Sequence, residues 1–142
     1  MVDDFGVVVE RYHLAAGEFV KGNPEPYKML FSEREDVSLG NPFGPVVRGW
    51  KEVAATMERA ASQYRDGDII GFENISTNVT PDLAYIVETE RFTTKIAGRE
   101  QASPVTLRTT SIFRPENDTW KIVHRHADPI AAARPPESVI AG

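Results

Sequence analysis

The apolar periodicity of this chain changes once, near Asp68, and that change limits what it can fold into. Before Asp68 the apolar residues recur at helical spacing, and after it they alternate. Phe5, Val8, Val9, Tyr12, Ala16 and Phe19 mark one face of a helix that opens the chain. Gly22-Asn23-Pro24 stops it. Glu25 to Phe31 reads as a short helix or turn, and Asp36 to Leu39 as a short strand. Asn41-Pro42-Phe43-Gly44-Pro45 is a tight connection. Trp50 to Tyr64 predicts a second helix, with Trp50, Val53, Met57, Ala60, Ala61 and Tyr64 on its apolar side. Ile69 to Val79, Leu83 to Lys95, Pro104 to Arg114 and Thr119 to Ala127 then read as strands. Asp66-Gly67, Thr80-Pro81-Asp82, Ala97-Gly98 and Glu116-Asn117-Asp118 supply the turns. Helices first and antiparallel strands after them predict an α+β domain.

With 142 residues the chain suits one domain with a real core. We place that domain at residues 1–128 and read residues 129–142, rich in Pro and Ala, as an extended or partly disordered tail. The net charge of -5 argues against nucleic acid or an anionic membrane as partner. The absence of cysteine removes disulfides, thiolate metal sites and a Cys nucleophile. The acidic start, Asp3-Asp4, is unlike a signal peptide, and no apolar run is long enough to span a bilayer. The expected location is the cytoplasm.

The last strand carries the densest chemistry. By simple alternation Trp120, Ile122, His124, His126 and Asp128 share one face, and Lys121, Val123, Arg125 and Ala127 the other. The apolar members of the first row predict that it faces the interior. Its imidazoles and carboxylate would then form the polar floor of a pocket, because buried polar groups need partners.

The element order, together with Trp120-Lys121-Ile122-Val123-His124-Arg125-His126, resembles the nuclear-transport-factor-2-like superfamily, and within it the SnoaL-like branch. That branch includes the association domain of calmodulin-dependent protein kinase II. The resemblance covers roughly residues 5–128 and implies a curved antiparallel sheet wrapped around a long N-terminal helix, a cone enclosing a pocket. It also implies a homodimer through the outer face of the sheet. Ile86 with Val87 and Ile122 with Val123, apolar on both faces, agree with that. The scaffold hosts isomerases, cyclases, dehydratases, epoxide hydrolases and non-catalytic assembly domains, so fold does not name the reaction. Asn41-Pro42-Phe43-Gly44, followed by Arg48-Gly49, also resembles the Asp-Pro-Val-Gly segment of ketosteroid isomerases. Asn41 stands where that family has its general base, and an amide cannot take up a proton at neutral pH. Tyr12 lies where the family places a tyrosine that donates to an oxyanion.

Each candidate has a functional and a structural reading. His124 and His126 are acid/base candidates or pocket histidines held by strand neighbours. With Asp128 they have the makings of a metal site, although we expect none. Asp128 either orients His126 or closes the strand before Pro129. Glu88 and Glu90 share a face, as a catalytic pair or as ion-pair partners of Arg91 and Arg108. Arg108 has the fork to bind a substrate carboxylate, with Thr110 offering a hydroxyl nearby. Phe43, Trp50 and Phe31 close the pocket mouth or fill the core. His13 reads as a solvent-edge residue. The sequence thus predicts a small-molecule pocket, either of a cofactor-independent isomerase, cyclase or dehydratase acting on a small apolar or carboxylate substrate, or of a non-catalytic ligand-binding or assembly module.

Overall fold

The computed structural model describes residues 4–142; Asp3, part of the acidic start, lies outside them. Helix α1 spans Phe5–Phe19 and is capped by Asp4, whose Oδ1 accepts from the Gly6 amide at 2.8 Å. Its spacing places Phe5, Val8, Tyr12, Ala15 and Ala16 on one buried face. Helix α2, Glu25–Leu30, and strands β1, Ser38–Gly40, and β2, Val47–Arg48, lead to helix α3, Trp50–Ala61. The sheet is completed by β3, Tyr64–Val79, β4, Ala84–Ile96, β5, Ser103–Glu116, and β6, Thr119–Asp128. The strand order is β2-β1-β6-β5-β4-β3, a single open sheet. Pairing is antiparallel except between β1 and β6. Beyond β6 the tail is exposed throughout and holds one short 3-10 turn, Pro136–Val139.

The α+β class and the wrapped N-terminal helix are as the sequence predicts. Two elements differ. Strand β2 is too short to leave a periodic signal. Strand β3 starts at Tyr64, because Asp66-Gly67 forms a bulge inside the strand and not a turn before it. Asp66 takes φ 53°, and the β3–β4 register shifts between Arg65 and Asp68. The bulge brings the backbone against the end of α1. A Cβ on Gly67 would stand 2.2 Å from the Val20 carbonyl oxygen.

A further bulge decides the interior of the cone. Ile112 of β5 pairs with His124, but the adjacent Phe113 pairs with Ile122, leaving Val123 as an extra residue in β6. Alternation therefore reverses partway along the strand. Trp120 and Ile122 are buried before the bulge, and Arg125 and Ala127 after it. The inward orientation expected for His124, His126 and Asp128 is thereby corrected: they follow the bulge on the outer face, and Arg125 points in.

Two apolar clusters fill the concave side. One joins Phe5, Val8, Phe31, Phe113, Trp120 and Ile122 at the end where α1 begins. The other joins Val20, Tyr64, Phe92, Leu107 and Ala127 near the end of α1. Gly67→Ala should remove about 2–4 kcal/mol of stability, since backbone atoms must move to admit the methyl. Urea denaturation would measure this, and an unchanged midpoint would contradict the close approach.

Candidate functional site

Between the two apolar clusters lies a buried polar group. Arg125 comes from β6, Glu90 from β4, Ser111 from β5, Tyr12 from α1 and Tyr27 from α2. Arg125 is 6% exposed and Glu90 3%. Arg125 Nη2 donates to Glu90 Oε2 at 3.2 Å, and Nη1 donates to Tyr12 Oη. Tyr12 Oη also bonds Ser111 Oγ at 2.7 Å. The Tyr12 and Tyr27 rings stack, and the guanidinium lies 5.5 and 5.3 Å from their centroids. Burial works against the Arg125 charge, but Tyr12, Tyr27 and Glu90 outweigh it, so its pKa is raised. Burial raises the Tyr12 and Tyr27 hydroxyls above the ordinary phenol value, so both remain protonated donors at neutral pH. Burial, reinforced by the Glu90 charge, pushes Tyr64 up to about 12.

One atom of this group is incomplete. Tyr27 Oη is buried and makes no hydrogen bond within 3.5 Å among the described residues, although the neighbouring Tyr12 hydroxyl is near enough for each to shift the other's pKa. An orphaned buried hydroxyl costs about 1–3 kcal/mol relative to a satisfied one. Tyr27, Glu90 and Arg125 line a cavity of about 40 Å³, set in a cleft whose empty volume, mouth included, is about 530 Å³. Its walls are otherwise apolar, including Phe31, Leu39, Met57, Phe92 and Leu107, and Asn41 and Phe43 stand in the lining as well. Asn41 Oδ1 accepts from the Phe43 amide at 2.9 Å, which shapes the turn. The arrangement is an apolar cleft with a carboxylate–guanidinium pair in its wall and a covered tyrosine hydroxyl, without a hydrogen bond among the described residues, in the residue beside it.

The remaining predicted residues lie elsewhere. On the outer face His124 Nδ1 bonds Ser38 Oγ at 2.7 Å. His126 Nε2 donates to Asp128 Oδ2 at 2.8 Å, and Arg108 Nε donates to Asp128 Oδ1 at 2.7 Å. Thr110 pairs with His126 across the strands, also outside the cleft. Burial, with the nearby His126 charge, lowers the His124 pKa. Burial opposes the Asp128 charge, but Arg108 and His126 hold it down to about 2. The two histidines do not converge with Asp128 on one point, and no metal-holding group of three such side chains occurs among the described residues. Trp50 packs against the first apolar cluster and not in the cleft. Glu88 faces inward but is taken by His13, whose Nε2 reaches its oxygens at 2.8 and 3.0 Å while the ring stacks on Phe72 at 3.7 Å. His13 is thus at the solvent edge, as read from the sequence, with its side chain 28% exposed, and it is also the partner of a buried carboxylate. Glu90 pairs with Arg125, Arg91 with Glu73 and Arg108 with Asp128, which corrects the expected cross-strand pairing of the glutamates.

Alternation missed Arg125 because it assumed no bulge, and it missed Tyr27 because α2 has too few residues to show a face. The apolar doublet Ile122-Val123 did not mark the bulge, since it reads equally as a strand apolar on both faces.

The profile of the SnoaL-like domain family matches residues 8–132. Solved structures with the same fold include a candidate dehydratase of the NTF2-like family from Streptomyces avermitilis, at 22% identity and TM-score 0.72, covering 92% of this chain and 96% of that one. A ketosteroid isomerase-like protein from Erwinia carotovora atroseptica aligns at 14% identity and TM-score 0.72, covering 89% and 96%. A candidate calcium/calmodulin-dependent protein kinase II association domain from Xanthomonas campestris aligns at 16% identity and TM-score 0.71, covering 92% and 91%. No curated protein matches the sequence significantly. Among the described residues no helix is long and apolar enough to cross a membrane.

Glu90→Ala strands a buried guanidinium and should cost about 3–5 kcal/mol. The double change Glu90→Leu with Arg125→Met should cost less than Glu90→Ala alone, a comparison that denaturant titration would make. The low Asp128 pKa adds a pH effect. It lies below the ordinary value of 3.8, so the stabilisation is complete above about pH 4 and is lost as pH falls through about 2. Asp128→Asn should flatten acid unfolding in that window, and an unchanged acid profile would contradict the pairing.

Proposed function

The chain belongs to the SnoaL-like domain family, and on that premise we propose that its interior cleft binds a small, mostly apolar molecule carrying one oxygen acceptor. The carrying observation is Tyr27 Oη, a buried donor that makes no hydrogen bond among the described residues, on a residue of the cleft wall. A native protein keeps such a group unsatisfied where a ligand or water completes it. A carbonyl, lactone or hydroxyl oxygen would take that hydrogen bond, with the Arg125 charge reinforcing it.

The proposed chemistry is a cofactor-independent isomerisation, dehydration or cyclisation. Glu90 is the candidate acid/base group, with one oxygen held by Arg125 and no hydrogen bond to the other among the described residues. Tyr27 would stabilise charge developing on the ligand oxygen. This reading moves the proton-handling role from the outer-face His124, His126 and Asp128 to Glu90. Tyr12 becomes a positioning residue for Arg125. The second reading, ligand binding without turnover, draws support from the same ion pair, because the Glu90 carboxylate is already engaged by Arg125. Pairing of two copies through the outer sheet face, where Val87, Ile112 and Val123 are half-buried, belongs to either reading.

Tyr27→Phe separates folding from binding. Removing an unpartnered hydroxyl should hold or raise the melting temperature of the free protein. It should weaken a ligand found by thermal-shift screening of small ketones, lactones and carboxylates by about tenfold, the worth of one buried hydrogen bond. A hit indifferent to Tyr27→Phe would place binding outside the cleft. Proton NMR of the bound hit in D2O would then distinguish the readings. Loss of a proton α to the carbonyl, abolished by Glu90→Gln, marks catalysis, and retention marks a binding module.

A further inference from the structure

The interior cleft does not end at Phe43. A second, open cleft of about 630 Å³ lies on the other side of the Asn41–Pro45 turn, and Asn41, Phe43 and Ala60 belong to the walls of both. Helix α3 runs along the two spaces. Met57 and Ala60 face the inner one, and Thr56, Arg59 and Gln63, at helical spacing, face the outer one. Phe43, 51% exposed, is the partition between them, with its ring edge near Tyr64 at 5.9 Å between centroids.

The outer cleft has a distinct electrostatic character. In a chain of net charge -5, Arg59 is the one charged residue lining it among the described residues. Arg59 donates from Nη2 to Thr56 Oγ1 at 3.0 Å, and among the described residues its guanidinium makes no ion pair with a carboxylate. The adjacent Glu58 is engaged by Lys28 at 2.7 Å. Gln63 and Asn41 add neutral polar groups to the same wall. An arginine without an acidic partner, beside amides and a hydroxyl in a concave space, suits a planar or tetrahedral anion.

We propose that the outer cleft is an anion subsite of the same binding site, so that the ligand is an amphipathic anion. Its apolar part enters past Phe43 toward Tyr27, and its carboxylate, sulfonate or phosphate rests on Arg59. This inference rests on the reading of the inner cleft as a ligand site. It also accounts for the narrow inner cavity of about 40 Å³: most of the ligand's length lies across the partition and not behind it. Phe43 is then a specificity-determining residue whose ring packs against the middle of the ligand.

The test uses two fluorescent probes that differ only in charge, 1-anilinonaphthalene-8-sulfonate and neutral N-phenyl-1-naphthylamine. The neutral probe reads the apolar cleft, and the ratio of the two affinities reads the anion subsite. Wild-type protein should favour the sulfonate by about five- to tenfold, a preference that shrinks as salt rises. Arg59→Gln should abolish the preference and leave the neutral probe's affinity unchanged, while Arg59→Lys should keep part of it. Phe43→Ala should change the affinity of both probes. A preference that survives Arg59→Gln, with the neutral probe still bound and still displaced by filling the cleft through Ala16→Leu, overturns the anion subsite and leaves the inner cleft intact. A neutral probe that does not bind, or is indifferent to Ala16→Leu, overturns both.

Discussion

A guanidinium inside a cone this small has to be surrounded by oxygen atoms, and the rest of the interior is arranged around that need. Arg125 is buried among a carboxylate from β4, a hydroxyl from α1 that is itself tied to β5, and two aromatic faces. Two of the helices that cover the concave face, α1 and α2, and a strand of the sheet therefore contribute to one charge. A buried ion pair adds little net stability compared with an apolar replacement, yet breaking it by removing one partner is costly. Its effect here is to hold α1, α2 and three strands in a single mutual arrangement, with apolar clusters on either side of it.

The Val123 bulge is what brings that charge inside. An uninterrupted β6 would bury two imidazoles and leave Arg125 on the outer surface, where Glu90 would face an unpaired interior. One extra residue reverses the row after Ile122. It also sends His124 and His126 to the outer face, where Ser38 and Asp128 receive them and Arg108 holds Asp128. The polar interior and the polar outer face thus share one cause.

The cleft pairs this satisfied cluster with one unsatisfied donor. Tyr12 and Tyr27 stack in parallel and both lie against Arg125, but among the described residues Tyr12 bonds Ser111 and Arg125 while the Tyr27 hydroxyl makes no hydrogen bond within 3.5 Å. The difference comes from the elements that carry them. Tyr12 on the central helix meets the sheet, whereas Tyr27 on the short α2 belongs to the cavity wall with its oxygen covered. Stability and ligand recognition are consequently divided between two neighbouring residues of one type.

Periodicity and composition alone determined the α+β class, the order of the long elements and the residues that form the apolar face of α1. Local spacing dictates those properties, and no distant contact is needed to read them. The motif of β6 was enough to indicate the SnoaL-like fold, Asn41 was singled out by the resemblance of its segment to that of ketosteroid isomerases, and Phe43 as an aromatic at the pocket mouth or in the core. Tertiary structure alone decided which side of β6 faces inward, because a bulge depends on how two strands pair and not on either sequence by itself. It likewise decided that Glu90 belongs to Arg125 and Glu88 to His13, residues 35 and 75 positions away in the chain. Pairings of that kind follow from where the curved sheet closes over α1, so they exist only once the cone is folded.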